Sequence, residues 1–198
     1  MIIKRAAFID RDGVINKEKD YLYRWEDFEF LPRSREALKM ISDTSDILSV
    51  IITGQSGIGR GKYTEADFWK LMDKAKSDLQ SSGARVDGTF FCPHPARNEL
   101  HKARPPYNVA CECRKPLTGM IKQAVDHFAK QGITIDMKNS CCFGDKTAEV
   151  KMAENAGCLG VLVQTGYGGK EDKDRYEIKP DYVAADLLDG VKWWLKLS

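Results

Sequence analysis

The chain has 198 residues, 42% hydrophobic and 30% charged, with a formal net charge of +2 at pH 7. That length suits one domain with a sizeable core, and the composition excludes disordered, collagenous and coiled-coil classes. The near-zero charge makes no case for nucleic acid, no apolar run approaches membrane-spanning length, and the first residues lack a signal-peptide layout; a cytoplasmic monomer with neither a membrane nor a nucleic-acid partner is expected.

Ala6 to Ile9 is a short apolar run that stops at Asp10-Arg11-Asp12-Gly13, and it reads as a buried strand of a parallel sheet. In open α/β sheets ligands sit outside the carboxyl ends of the strands, which is where Asp10 and Asp12 fall. Two apart on an extended chain, their carboxylates would point the same way and offer a hard oxygen site for Mg²⁺ with room for phosphate oxygens. Asp-x-Asp-Gly is equally good turn sequence. Residues 17–25 read as a loop over this strand end, with Tyr21, Tyr23 and Arg24 either lining a substrate entrance or covering the edge of the fold. Pro32 is expected to open a helix whose apolar face is Ala37, Leu38 and Ile41.

Ile47 to Ile52 is a second buried strand, ending at Thr53-Gly54-Gln55-Ser56-Gly57. The Thr53 hydroxyl and the successive backbone N–H groups of Gly54, Gln55 and Ser56 suit phosphate oxygens, although a Gly-rich turn can be only a turn. The loop continues through Lys62. Thr64 and Asp67 have capping-box spacing at the start of a long helix with Phe68, Leu71, Met72, Ala75 and Leu79 as its core stripe, closed by Gly83.

Val86 to Phe91 resembles a third strand, leading into Cys92-Pro93-His94, a Pro- and charge-rich loop, and Cys111-Glu112-Cys113-Arg114-Lys115-Pro116. In a compartment where disulfides are rare, the six cysteines are expected as metal ligands, buried thiols or reactive thiols. Cys92, His94, Cys111 and Cys113 supply four soft ligands, two from each side of one loop over about 92–113, which suits a closed tetrahedral Zn²⁺ site; the alternative is three unrelated thiols. His101 is a spare donor facing solvent. A metal clip would order so polar a loop. It would also hold Arg114 and Lys115 for phosphate recognition, where otherwise they are two solvated charges. Pro116 is expected to start a helix with Met120, Ile121, Ala124, Val125 and Phe128 inward and His127 structural.

Asn139 to Phe143 is a fourth strand, ending at Gly144-Asp145-Lys146 with Glu149 one helical turn on, and Cys141 and Cys142 read as buried thiols. A helix over 147–156, a strand over 157–163, a flexible loop over 166–174, a short edge strand over 180–183 and a helix over 186–196 complete the chain, with Trp193 and Trp194 as packing residues. Five strand–helix alternations predict one α/β domain over 1–198. Its sheet would be a doubly wound, Rossmann-like parallel sheet with helices on both faces. Such a sheet brings Asp10, Asp12, Thr53, Lys115 and Asp145 to one edge.

Asp10 to Asn16, Thr53, Lys115 and Gly144-Asp145 together resemble the four ordered motifs of the haloacid dehalogenase-like phosphatases. Thr53 to Gly61, Cys92 to His94, Cys111 to Pro116 and Gly144 to Lys146 are similar to the D,D-heptose 1,7-bisphosphate phosphatases, relatives of the phosphatase domain of histidinol-phosphatases, and the likeness spans almost the whole chain. The resemblance implies Asp10 as nucleophile, forming an aspartyl-phosphate, and Asp12 as general acid and then base. It implies Mg²⁺ held by the Asp10 carboxylate, the Asp12 backbone carbonyl and Asp145, with Thr53 and Lys115 stabilising the phosphoryl oxygens. Arg114, Lys146 and the loop from Lys17 to Tyr21 would recognise the substrate. It further implies a sugar phosphate as partner, the 7-phosphate of D-glycero-D-manno-heptose 1,7-bisphosphate foremost, a place in heptose biosynthesis for lipopolysaccharide or another surface glycan, and no large cap domain.

The chain departs from this pattern at Val14, where the family usually has Thr, at Gly54, where it has Asn, and at Glu149, where it has Asp. Gly54 bears on substrate preference more than on reaction type. Alternative readings are histidinol phosphate or a DNA 3′-phosphate as substrate, or a zinc-stabilised binding module without catalysis. The lack of a basic stripe counts against DNA, and the intact motif residues count against the module.

Overall fold

Strands buried on both faces carry apolar residues at every position, and the pleat sends alternate side chains to opposite layers. In the computed structural model, which describes residues 2–170 and 176–197, strand β1 (Ile2–Ile9) turns Ala7 and Ile9 to one layer and Ala6 and Phe8 to the other. Strands β2 (Ile47–Gly54) and β5 (Cys141–Gly144) divide in the same way. With β3 (Gly88–Cys92), β4 (Ile133–Ile135), β6 (Leu159–Val163) and β7 (Tyr182–Ala184) they form a seven-stranded sheet of order β3-β2-β1-β5-β6-β7, every pair parallel, with β4 beside the start of β1.

Helices α1 (Ser34–Asp43), α3 (Glu65–Ser81) and α6 (Leu187–Leu195) cover the layer containing Ile9, Ile51 and Phe143. Helices α4 (Gly119–Ala129) and α5 (Thr147–Ala156) cover the layer containing Phe8, Val50 and Cys142. The sheet is therefore doubly wound. From β1 the order runs outward through β2 and β3 on one side and through β5, β6 and β7 on the other. This reversal is a topological switch point, where ligands bind at the strands' carboxyl ends. Ile9 faces Ile51 of β2 and Phe143 of β5, so Asp10, Thr53 and Asp145 emerge on that edge.

The capping box of α3 is present, with Asp67 N–H donating to Thr64 Oγ1 at 3.1 Å and Thr64 N–H to Asp67 Oδ2 at 2.9 Å. Trp194 is buried against Phe143 and donates to the Asn139 carbonyl at 3.1 Å, while Trp193 stacks on Tyr182, so both are packing residues.

Several boundaries differ from expectation. β1 begins four residues before the apolar run, because Ile2, Ile3 and Lys4 pair only with the short β4, where exposed side chains are tolerated. β4 itself is too short to leave a periodic signal. Residues Ser56–Gly59, expected as loop, close one helical turn (α2). Helix α1 starts at Ser34, after Arg33 takes a left-handed φ of 64°, and not at Pro32. Helix α4 starts at Gly119, three residues after Pro116, because Leu117 N–H bonds back to Arg114 O and Gly119 N–H to Glu112 O. Of the loop expected over 166–174, residues 171–174 lie outside the described residues. Among the described residues no helix is long and apolar enough to cross a membrane.

Candidate active site

After Ile9 the chain leaves the sheet. Val14, Ile15 and Asn16 N–H groups all turn back to the Arg11 carbonyl, so Asp10 and Asp12 sit on a tight turn; their carboxylates, expected to point the same way, take different partners, Lys115 for Asp10 and Arg11, Asn16 and Gln55 for Asp12. The Asp-x-Asp-Gly stretch is thus a turn, as the plainer sequence reading had it, and its Asp10, Arg11 and Asp12 line a cavity. Asp10 Oδ1 accepts from Arg11 N–H at 2.8 Å and meets Lys115 Nζ at 2.9 Å. The same ammonium lies 2.9 Å from Glu149 Oε1. Burial alone would lower the Lys115 pKa, but the Asp10 and Glu149 carboxylates raise it, so the lysine stays charged.

Asp145 is fully buried beside this pair. Its Oδ2 accepts from Tyr167 N–H at 2.8 Å, while its Oδ1 has no hydrogen-bond partner among the described residues. Carboxylate oxygens of Asp10, Asp145 and Glu149 lie within 4.8 Å of one another. Burial, with the charges of Glu149 and Asp10 adding, pushes the Asp145 carboxyl up to about 8. An orphaned buried carboxylate oxygen among hard oxygen donors fits Mg²⁺, whose charge would reverse that shift. The backbone makes the site possible. Gly13 (φ 81°) and Gly166 (φ 58°) press against Asp145, and a Cβ on either would overlap its Oδ2. A Cβ on Gly144 would overlap Cβ and Cγ of Glu149, so only glycine there lets that side chain pack against the end of β5.

Thr53, at the end of β2, is fully buried, and its Oγ1 accepts from Gln55 Nε2 at 2.8 Å. Gln55 Nε2 also donates to Asp12 Oδ2 at 3.1 Å, and Gln55 Oε1 accepts from the Tyr63 hydroxyl at 2.5 Å. Asp12 accepts in addition from Asn16 Nδ2 at 2.9 Å and from Arg11 Nη2 at 2.8 Å. Arg11 is itself buried, over the Phe68 ring and against the Leu22 carbonyl. The Gln55 backbone N–H, expected to face phosphate, instead donates to the Cys92 carbonyl at 2.7 Å, and its side-chain amide is spent on Thr53, Asp12 and Tyr63. Arg11 and Tyr63 went unsuspected in the sequence. Tyr63 returns to Gln55 only because α2 turns the chain, and a four-residue helix has no periodic signature.

A cavity of about 480 Å³ opens over Asp10, Asp12, Lys115 and Glu149, with Gly54, Ser56, Tyr21, Arg114 and Lys146 also on its wall, while Thr53 and Asp145 are buried behind its lining. The two readings of the tyrosine loop divide between residues. Tyr21 lines the cavity, with a left-handed φ of 55°, whereas Tyr23 stacks on Tyr63 at 5.2 Å and carries Arg24 over its ring. No atom lies within 4 Å of where a Gly54 Cβ would be, so that corner is open. Glu18 faces Lys146 across 3.5 Å, and burial, with the Asp12 charge adding, pushes its carboxyl up to about 7 against the pull of Lys146. Glu18 belongs to the loop from Lys17 to Tyr21 expected at the substrate side, but its own pairing with Lys146 left no signal in the sequence.

At the rim, Cys92 ends β3 and meets Cys113 Sγ at 3.0 Å and Cys111 Sγ at 3.7 Å, while His94 Nδ1 lies 3.4 Å from Cys113 Sγ and 3.8 Å from Cys92 Sγ. With metal–sulfur bonds of about 2.3 Å, a tetrahedral zinc site has sulfur–sulfur edges of about 3.8 Å. The cluster is compatible with zinc, and none of its three cysteines forms a disulfide. His101 lies outside it. Arg114 Nη1 donates to the His94 carbonyl at 3.0 Å, which ties this cluster to the cavity.

The family model described as HAD-hydrolase-like matches residues 112–190. The chain is 39% identical over 170 residues to D-glycero-alpha-D-manno-heptose-1,7-bisphosphate 7-phosphatase of Photorhabdus laumondii, covering 84% of this chain and 86% of that one. It is 35% identical over 192 residues to D-glycero-beta-D-manno-heptose-1,7-bisphosphate 7-phosphatase of Haemophilus ducreyi, covering 96% and 98%. Among solved structures it superposes with a TM-score of 0.80 and 28% identity on D,D-heptose 1,7-bisphosphate phosphatase from B. bronchiseptica in complex with magnesium and phosphate, covering 98% of this chain and 99% of that one.

Proposed function

Because the chain belongs to the D-glycero-D-manno-heptose-1,7-bisphosphate 7-phosphatase family, we propose that it removes the 7-phosphate of D-glycero-D-manno-heptose 1,7-bisphosphate through an aspartyl-phosphate on Asp10. The observation that carries this reading is the Lys115 ammonium, 2.9 Å from both Asp10 Oδ1 and Glu149 Oε1, beside the unpartnered Asp145 oxygen. An anionic nucleophile and an anionic phosphate repel unless fixed positive charge offsets both.

Asp10 Oδ attacks phosphorus, the bond from phosphorus to the sugar oxygen breaks, and Asp12 gives its proton to that oxygen. Water then attacks the aspartyl-phosphate, Asp12 takes the water's proton, and Asp10 and inorganic phosphate are released. Lys115 and the Thr53 hydroxyl stabilise the phosphoryl oxygens as charge spreads over them. Asp10, Asp145 and the Asp12 backbone carbonyl would hold Mg²⁺, which when bound neutralises phosphoryl charge and orients the group for attack. Arg114 and Lys146, with Tyr21, Gly54 and Ser56 on the wall, would take the remaining phosphate and sugar. Zn²⁺ on Cys92, His94, Cys111 and Cys113 would be structural, fixing Arg114 through the His94 carbonyl. The whole chain would act as one catalytic domain.

The relatives carry names for both anomers. The test is turnover with Mg²⁺ on the α- and β-anomers of the bisphosphate and on histidinol phosphate. Release of one phosphate to leave the 1-phosphate, lost in Asp10→Asn, is expected. A folded protein that releases phosphate from none of them, or prefers histidinol phosphate, contradicts the proposal.

A further inference from the structure

Among the buried polar groups, one chain of contacts has no part in the mechanism above. Tyr63 is buried at the start of α3's approach, its ring stacked on Tyr23 at 5.2 Å, and its hydroxyl donates to Gln55 Oε1 at 2.5 Å. Burial raises the phenol above its usual pKa, so the proton stays on the oxygen and Tyr63 acts as donor. The two ends of a glutamine amide are nearly equal in shape, and only their partners decide which faces where. Turned the other way, Gln55 would set its carbonyl against the Asp12 carboxylate, acceptor against acceptor.

We propose that Tyr63 is a positioning residue for the phosphatase reaction, fixing the Gln55 amide so that one NH₂ group orients both Thr53 and Asp12. Two consequences follow from the contacts of Gln55 Nε2 with Thr53 Oγ1 at 2.8 Å and Asp12 Oδ2 at 3.1 Å. The Thr53 oxygen accepts from Gln55, so its own proton is directed elsewhere and is left for a phosphoryl oxygen of the substrate. The Asp12 carboxylate is held between Gln55 and the Arg11 and Asn16 donors, at a defined distance from the leaving oxygen. Through Asp12, Tyr63 acts on the step that needs a proton.

The inference rests on the proposed function, and leaving-group dependence separates the two. General-acid catalysis matters for an alkoxide leaving group and little for a stabilised phenolate. Tyr63→Phe removes one oxygen and keeps the ring stack. On the heptose bisphosphate it is expected to lower kcat by about tenfold or more with KM within about threefold, and on 4-nitrophenyl phosphate to lower kcat by less than about threefold. Gln55→Leu should show the same split, and adding Tyr63→Phe to it should cost nothing more, as expected of two residues acting in series. Melting temperatures of each variant check folding. Equal losses on both esters, no loss on either, or additive losses overturn the inference while leaving the phosphatase reading intact. A wild type inert toward both esters overturns that reading, and the inference with it.

Discussion

Lys115 carries one positive charge into a pocket that it shares with three carboxylates, Asp10, Asp145 and Glu149. A divalent cation would balance the remainder. Because Asp145 is pushed up to about 8, it must shed a proton to become a ligand. Metal ligands bind deprotonated, so below pH 8 Mg²⁺ competes with that proton and its apparent affinity rises with pH, by up to about tenfold per unit, before levelling off above pH 8. Calorimetric titration with Mg²⁺ between pH 6 and 9 measures this, and an affinity independent of pH contradicts it. Lys115→Met leaves Asp10 and Glu149 buried without their counter-charge. It is expected to lose activity and about 3–5 kcal/mol of stability, read by denaturant unfolding in chelator. The positions of Asp10, Thr53 and Asp145 were legible in the sequence because each stands at or next to the end of an apolar run, and Asp12 and Lys115 because they lie within two residues of Asp10 and of Cys113. The contacts of Tyr63 and Arg11 were not, since they depend on turns that bring these side chains back to residues already placed.

At the scale of elements, the strand-end turns are built to let carboxylates in. Gly13 has a φ of 81° and no room for a Cβ beside Asp145. Gly13→Ala should therefore displace Asp145 and weaken Mg²⁺ more than tenfold, measured by the Mg²⁺ dependence of turnover, whereas an unchanged Mg²⁺ requirement would show that the turn can relax. The rim cluster acts on the same edge from the other side. Metal analysis should find about one zinc per chain, and Cys111→Ser should lower it and raise KM for the bisphosphate through a loosened Arg114. Zinc-free protein with unaltered KM would remove that link. The gathering of Cys92, His94, Cys111 and Cys113 into one cluster was readable from Cys-x-His and Cys-x-Cys flanking one polar loop. The turn at Arg114–Leu117 that delays α4 was hidden by Pro116, which as readily opens a helix as precedes one.

Over the whole molecule, the alternation of apolar runs with amphipathic stretches made the doubly wound sheet legible, because parallel strands buried on both faces read as unbroken apolar segments. β4 and the first residues of β1 escaped, since three residues pairing outside the main strand order bury too little to pattern the sequence. Core and site are separable at this scale. Trp194 fills the layer under β5, on the face opposite α5, so Trp194→Ala should cost about 3–5 kcal/mol in chemical unfolding yet leave kcat unchanged at a temperature where the variant is folded. A fall in kcat with full folding would couple that layer to the site. Acid, hydroxyl and ammonium groups from four separate stretches of chain are expected to converge on one divalent cation. Anomalous diffraction from crystals grown with Mn²⁺ in place of Mg²⁺ tests it most directly. One anomalous peak within bonding distance of Asp10, Asp145 and the Asp12 carbonyl is predicted, and a fully occupied peak elsewhere, with none between Asp10 and Asp145, would contradict it.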